Sequence, residues 1–142
     1  MGLTEIQTDL KYASWAEIKH GRICMLAIVG MLIQEAGIHL PGKQFTELNP
    51  IKAVSAVGFA GNMQVFLFIG VIELAYFQKH YGEGTPGDLG WDFIGPTKCM
   101  SAEELKIRQE QEVVHCRLGM IAFVGAFVQT LLFHKPLLGM LG

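Results

Sequence analysis

A short polar signature, Glu-x-x-His-x-Arg, occurs twice in this chain of 142 residues. The two copies occupy Glu17–Arg22 and Glu112–Arg117, at the edges of otherwise apolar segments. Carboxylate and imidazole groups bind metals and move protons, and guanidinium is the strongest partner of a carboxylate. Aligned without gaps, Glu17–Gln34 and Glu112–Gln129 are identical at eight of 18 positions, with an offset of 95 residues. The two segments are therefore related units of an internal repeat.

The charges of each copy predict a partner on the other copy. Within one copy, the Glu and the Arg are five residues apart, which places them about 140° apart around a helix. Pairs on one helix need a spacing of three or four residues, and an unpaired charge in an apolar segment is strongly unfavourable. The repeat offers a reciprocal arrangement. We expect Glu17 to pair with Arg117, and Glu112 with Arg22.

Two interpretations of the remaining polar groups stay open on the residues alone. Each Glu keeps a second carboxylate oxygen, which suits a hard ion such as magnesium, and has a His three residues later as a second candidate ligand. Gln34 and Gln129 end the repeat about 25 Å further along each helix, where an amide oxygen is another candidate ligand. Alternatively, Glu and Arg form only an interhelical clasp, and His20 and His115 are polar packing residues.

Hydrophobic segments of membrane-spanning length carry these residues. Hydrophobic residues make up 51% of the chain and charged residues 17%, with 17 glycines, a balance typical of membrane proteins. Ala53–Phe77 contains 25 residues and one formal charge, Glu73, and is long enough to cross a hydrocarbon core of about 30 Å. The charge-free runs Ile23–Ile33 and Leu118–Phe133 reach that length only by including the polar residues of the repeat.

The predicted fold is an all-α membrane protein with the first and third helices crossed and related by a pseudo-twofold axis. We predict one domain, residues 1–142, and three transmembrane helices at about 13–36, 50–79 and 101–133. Asn49-Pro50 indicates the start of the second helix, and Ser101-Ala-Glu-Glu104 is a capping box that opens the third. The small residues of Ala27-x-x-Gly30 and Ala122-x-x-Gly125 would let the first and third helices approach closely.

Several classes of function are disfavoured by composition. A net charge of −2 without a basic run argues against nucleic acid as a partner. The three cysteines form no CxxC pair, so we interpret them as small core residues. No nucleophile–base constellation or phosphate loop is present, which argues against an enzyme, and no signal or transit peptide is evident at the start. A small transporter with a Glu–His–Arg proton relay remains an alternative.

Three stretches of the chain carry a resemblance to a known family. Glu17–Ala27 and Glu112–Ala122 resemble the first and third membrane helices of the light-harvesting chlorophyll-binding superfamily. Pro86–Gly95 is similar to the loop that precedes a helix of this type. The resemblance covers about residues 13–133, and it implies three membrane helices, two of them crossed and locked by reciprocal Glu–Arg pairs.

The same resemblance implies a set of chlorophyll ligands. The matching positions are Glu17, His20, Glu112, His115, Gln129, Glu73, Gln64 and, less closely, Gln34. His39, in the loop after the first helix, is an added candidate, with a solvated loop histidine as the alternative. His80 and His134, near helix ends, are weaker candidates.

The form of the first motif narrows the resemblance further. Lys-His-Gly-Arg and the loop Ile33–Gly42 are similar to those of chlorophyll a/c antennae of red-lineage algae. The implied cofactors are chlorophyll a, chlorophyll c and carotenoids, of the fucoxanthin or peridinin type with diadinoxanthin. The implied location is the chloroplast thylakoid membrane, beside photosystem core subunits, neighbouring antenna proteins and thylakoid lipids. The implied function is light harvesting without catalysis; a photoprotective quencher is the alternative, although few acidic pH sensors beyond Glu35 and Glu47 are present.

Overall fold

The computed structural model describes residues 3–77, 85–90, 99–135, 137 and 139. Its elements are α1 (Leu3–Glu35), a short 3-10 helix (Lys43–Phe45), α2 (Pro50–Ala75) and α3 (Ala102–Phe133). All regular structure within these residues is helical, as predicted. The predicted end of the second helix, residues 78–79, and most of the loop before α3 lie outside the described residues, as does His80.

Helix α1 begins about ten residues earlier than the predicted start near residue 13. No proline or glycine occurs between Leu3 and His20, so nothing in this stretch ends a helix. Hydropathy indicates where a segment becomes apolar, which is a different boundary from the start of its helix. The polar extension of α1 therefore precedes the apolar part without a break.

Helix α2 is interrupted, which corrects the prediction of one continuous apolar span. Asn49 caps its start, with its side-chain oxygen accepting from Ile51 and Lys52 N–H groups. Gly58 then has φ 76° and ψ 173° inside the helix, a conformation that glycine tolerates and other residues avoid. The Asn62 side-chain amide donates to the Val54 carbonyl oxygen at 2.7 Å. A side chain thus satisfies a carbonyl on the far side of the break.

Helix α3 starts at the predicted capping box. The Glu104 N–H donates to the Ser101 hydroxyl at 3.3 Å, and the Ser101 N–H donates to the Glu104 carboxylate at 3.0 Å. At the other end, His134 closes the helix in the left-handed conformation with φ 53°. Its N–H donates to the Thr130 carbonyl at 3.0 Å. The sequence signals at this helix start agree with the structure.

The main packing interface lies between α1 and α3. The buried side chains of the two helices are Trp15, Ile18, Met31, Cys116, Ala126 and Thr130. Helix α2 contacts the 3-10 helix and, more sparsely, α3, and it has no buried residue. The core is therefore small, and most large apolar side chains of the described residues are exposed at the periphery, as expected where lipid or apolar ligands surround helices.

Contacts beyond the helix ends define their relative directions. The Leu137 N–H, past α3, donates to the Glu35 carboxylate at the end of α1 at 2.7 Å. The Asn49 side chain, at the start of α2, donates to the His134 carbonyl at 3.4 Å. The carboxyl ends of α1 and α3 thus lie beside the amino end of α2.

Among the described residues, α2 and α3 are long and apolar enough to cross a membrane. Helix α1 does not reach that standard by composition, because Glu17, Lys19, Arg22 and Glu35 interrupt its apolar stretch. The charges of α1 therefore need partners if this helix is also to lie within a membrane.

Candidate functional site

Both predicted interhelical ion pairs are present between α1 and α3. Arg117 Nε donates to Glu17 Oε1 at 2.5 Å, and Arg22 Nε donates to Glu112 Oε1 at 2.7 Å. Each bond joins one copy of the repeat to the other and uses one oxygen of the carboxylate. A carboxylate can accept on both oxygens, so a Glu held in this way still has lone pairs with which to bind a metal.

The surroundings of the two pairs differ, although their chemistry is the same. The Arg117 side chain is 63% exposed, against 34% for Arg22. The loop at residues 85–90 accounts for this difference, because Gly87 lies directly on Arg22 and Ile18. A Cβ atom at Gly87 would lie 3.2 Å from the Arg22 guanidinium, and its φ of 88° also favours glycine. The described part of the loop therefore packs on the Arg22 guanidinium, while Arg117 borders a cavity that Thr85 and Pro86 also line.

The two histidines of the repeat have the same hydrogen bond to their own helix. His20 Nδ1 lies 2.7 Å from the Ala16 carbonyl oxygen, and His115 Nδ1 lies 2.7 Å from the Gln111 carbonyl oxygen. Because a carbonyl only accepts, Nδ1 carries the proton and Nε2 presents a lone pair. Both imidazoles are exposed. This is the arrangement that orients a metal-binding histidine.

Close approach of α1 and α3 occurs at Gly21, and the prediction for Ala27-x-x-Gly30 and Ala122-x-x-Gly125 is wrong. A Cβ atom at Gly21 would lie 2.7 Å from the Cα of Cys116, whose thiol donates to the Ile18 carbonyl at 3.7 Å. A Cβ atom at Gly30 or Gly125 would meet nothing within 4 Å. The close contact of the two helices therefore lies beside the ion pairs and does not involve Gly30 or Gly125.

Glu73 of α2 also has a partner, and this one was missed from the sequence. Lys19 Nζ donates to Glu73 Oε2, so the single formal charge of the predicted middle span is compensated from α1. The signal that could have indicated Lys19 is a mismatch in the repeat, since Val114 occupies the equivalent position in the second copy. Both charged groups line a cleft between α1 and α2, whose other lining residues include Ile23, Leu26, Ile72 and Leu89.

Two of the remaining candidates, Gln34 and His39, are brought together by the structure. They line one cavity between the end of α1, the following loop and α2, with apolar walls that include Ile33 and Phe45. The Gln34 side-chain amide donates to the Glu47 carbonyl at 2.5 Å, which directs the amide nitrogen to the loop. The side-chain oxygen is thereby oriented away from this bond.

Gln64 and Gln129 are exposed on α2 and α3. Gln64 and Glu73 are nine residues apart within the straight part of α2, so they face about 180° apart around the helix. These two candidates therefore cannot serve one site. The His134 backbone ends α3, and its side chain is exposed.

Comparison with known proteins identifies the family. The profile of a family described as chlorophyll A-B binding protein matches residues 1–131. Fucoxanthin-chlorophyll a-c binding protein A of Phaeodactylum tricornutum is 36% identical over 124 residues, which cover 78% of this chain and 62% of that protein. Protein F of the same organism is 42% identical over 130 residues, covering 87% and 64%.

A relative from a brown alga gives the same result. Fucoxanthin-chlorophyll a-c binding protein A of Macrocystis pyrifera is 35% identical over 141 residues, covering 92% of this chain and 64% of that protein. The chain spans somewhat less than two thirds of the length of these curated relatives. Because the family profile matches residues 1–131 of its 142 residues, this chain belongs to the chlorophyll A-B binding protein family.

Proposed function

We propose that this protein is a light-harvesting antenna that binds chlorophylls and carotenoids and passes excitation energy to a photosystem, without chemical catalysis. The observation that carries the proposal is the repeated site. Two Glu–Arg pairs join α1 and α3, and beside each pair a histidine with its Nδ1 tethered presents Nε2 outward. Family membership supplies the class of ligand.

The residues present fit a magnesium tetrapyrrole. The macrocycle would supply most of the ligands of its magnesium ion, so the protein would need to add one oxygen or nitrogen donor from an otherwise apolar surface. Carboxylate oxygen and neutral imidazole both serve this purpose. Bound pigment supplies the absorption of visible light, and the chain supplies ligands, spacing and an apolar environment.

The first group of proposed ligands lies at the clasp, by which we mean the two Glu–Arg pairs between α1 and α3. These ligands are Glu17, His20, Glu112 and His115. Each Glu has a double role, because its carboxylate also neutralises an arginine of the other helix. The charge of the ligand is thereby compensated within the membrane, where an unpaired carboxylate is unfavourable.

A second group of ligands is proposed away from the clasp. It consists of Glu73 and Gln64 on α2, Gln129 on α3, and Gln34 with His39 at one cavity. Gln34 and His39 line the same cavity, which supports a common site for the two residues. Gln64 would serve a different pigment from Glu73, because the two lie on opposite faces of α2.

All three helices are proposed to span the membrane, with α1 and α3 related by a pseudo-twofold axis along its normal. The pairing of the α1 charges with α2 and α3 supports insertion of α1. Gly21 and Cys116 occupy equivalent positions of the repeat and pack against each other, as residues on such an axis would. The exchange of Glu–Arg partners has the same symmetry.

The relatives direct the choice of cofactors and location. Their names specify fucoxanthin, chlorophylls a and c, and the chloroplast, so chlorophyll a, chlorophyll c and a fucoxanthin-type carotenoid are the proposed pigments, in preference to peridinin. The proposed location of the protein is the chloroplast thylakoid membrane. Neighbouring antenna proteins, photosystem core subunits and thylakoid lipids are its proposed partners.

An absorption spectrum with pigment chromatography tests the proposal. The protein is purified from its native membrane in mild detergent, and its pigments are separated and quantified per chain. Red-region chlorophyll bands, with chlorophyll c and a fucoxanthin-type carotenoid in the extract, are the expected result. A well-folded, colourless protein would refute the antenna function and favour a transporter.

A further inference from the structure

We propose that Lys19 is a positioning residue for pigment binding at α2. By pairing with Glu73, it holds and neutralises the carboxylate that binds a chlorophyll in the cleft between α1 and α2. The inference rests on the proposed function, because it requires a pigment in that cleft. It adds to that function a residue outside the repeated signature.

The contact itself joins two helices that otherwise touch little. Lys19 Nζ donates to Glu73 Oε2, with both side chains partly exposed. Glu73 is the only formal charge between Ala53 and Phe77, and a carboxylate in an apolar helix is unfavourable unless a cation lies within hydrogen-bond distance. Lys19 thus does for Glu73 what arginine does for each Glu of the clasp.

The repeat shows that Lys19 is not needed for the clasp. Three functional positions of the signature are identical in both copies, whereas Lys19 is replaced by an exposed Val114 in the second copy. A requirement shared by α1 and α3 would apply to both positions. The lysine occurs only in the copy whose helix contacts Glu73. Its role therefore concerns α2.

The cleft around the pair suits a flat apolar ligand with one polar attachment point. Its walls are mainly apolar side chains from α1, α2 and the loop at residue 89. The charged groups that line it are Lys19, Glu73 and Arg22, and Arg22 is already bonded to Glu112. Glu73 is therefore the acidic group of the cleft, and Lys19 fixes the position from which its carboxylate faces a ligand.

The test compares four variants of the full chain, each reconstituted with chlorophylls and carotenoids. They are Lys19→Met, Glu73→Leu, Lys19→Arg and, as a matched control, Lys52→Met. Lys52 is exposed at the start of α2 and forms no ion pair with a described residue. The measurements are chlorophylls per chain and the difference absorption spectrum against the unaltered protein.

Lys19→Met and Glu73→Leu are expected to lose the same chlorophyll, one per chain, with the same difference band. Lys19→Arg keeps the charge and should retain the full pigment content, as should Lys52→Met. A merely structural role would lower thermal stability without removing one specific band. The inference is overturned if Lys19→Met keeps all its chlorophyll, or loses a band different from that of Glu73→Leu.

If Lys19→Met fails to fold, Lys19→Gln tests the inference in its place. Glutamine can still donate to Glu73 and hold the helices together, but it leaves the carboxylate charge uncompensated. We expect roughly a twofold loss of occupancy at that one site, and full occupancy would contradict the inference. An unaltered chain without chlorophyll would instead refute the proposed function, so the two failures are distinguishable.

Discussion

At the scale of single residues, each histidine of the repeat has one ring nitrogen committed to its own helix. The acceptor is the carbonyl four residues earlier in both copies, at 2.7 Å. The helix backbone therefore sets the tautomer, and no neighbouring side chain is needed to do so. Such tethering reduces the orientational freedom that an imidazole would lose on binding a metal.

Replacing His20 with leucine should remove one chlorophyll per chain. The fold should survive, because the imidazole is exposed and its hydrogen bond to the Ala16 carbonyl lies within its own helix. His20→Asn should keep that chlorophyll, since its amide oxygen can replace the imidazole nitrogen as ligand. Chlorophyll content per chain, with far-ultraviolet circular dichroism for helicity, measures the effect. Full pigment content in His20→Leu would exclude His20 as a ligand.

The two arginines of the clasp offer a matched comparison, because the same substitution can be made at equivalent positions. Arg22→Leu removes a guanidinium that the loop partly covers, whereas Arg117→Leu removes one that is 63% exposed; the two glutamates are about equally exposed, at 35% and 33%. We expect Arg22→Leu to destabilise the protein by on the order of 2 kcal/mol, as for a partly buried pair, and Arg117→Leu to do so less. The midpoint of thermal pigment release reports both, and equal losses would contradict the covering role of Gly87.

The ion pairs of the clasp could be predicted from sequence, whereas the pairing of Lys19 with Glu73 could not. The five-residue spacing excludes pairing within one helix, and the repeat supplies a partner for each charge. No comparable rule connects Lys19 with Glu73, since which face of α1 lies nearest α2 depends on tertiary packing. The orientation of Gln34 by the Glu47 carbonyl is likewise set by a loop that has no periodic pattern.

At the scale of helices, two glycines lie at close contacts between α1 and α3. Gly21 packs against Cys116, and Gly119 packs against Met25, where an added Cβ atom would lie 2.6 Å from the Met25 side chain. Both contacts lie close to the ion pairs along the helix axes. Small residues at this level allow the backbones close enough for the Glu and Arg side chains to meet.

Gly21→Leu should therefore prevent correct assembly of the clasp. A leucine side chain has no room beside Cys116, and both Glu–Arg distances would increase together. Val29→Leu, on the same helix, is the control, because it places a leucine at an exposed position that does not line the cavity of Gln34 and His39. Reconstitution yield and bound chlorophyll should fall at least severalfold in the first variant and stay near normal in the second. Similar yields would show that the crossing tolerates separation.

Gly58 is expected to define the bend within α2. Alanine at φ 76° and ψ 173° is strained by roughly 1–3 kcal/mol, so Gly58→Ala should lower the thermal midpoint of pigment release. Gly70→Ala, in the regular part of the same helix, has free space around its Cβ and should be neutral or slightly stabilising. If Gly58→Ala were the more stable of the two, α2 would have to be a continuous helix.

The break in α2 and the early start of α1 could not be predicted from hydropathy. Gly58 is one of several glycines in an apolar stretch, and only its positive φ distinguishes it from Gly70. The extension of α1 from Leu3 is polar, so hydropathy is insensitive to it. The Asn49 and Ser101 caps were predictable because their side chains act locally, within three residues.

At the scale of the whole molecule, few side chains of the described residues are buried. Large apolar residues such as Phe59, Phe66 and Leu74 are exposed along α2. In a membrane, lipid and bound pigment would cover these surfaces. A ligand that binds only the folded state also stabilises it, so pigment binding and folding should be coupled in this protein.

The fluorescence excitation spectrum of the purified native protein tests light harvesting most directly. The emission of chlorophyll a is monitored while the excitation wavelength is scanned through the blue-green region, where a fucoxanthin-type carotenoid absorbs. Carotenoid and chlorophyll c bands in the excitation spectrum are the predicted result, because pigments held close together by α1, α2 and α3 transfer excitation efficiently. Chlorophyll a emission excited only through its own bands, or a protein without such emission, would contradict the account.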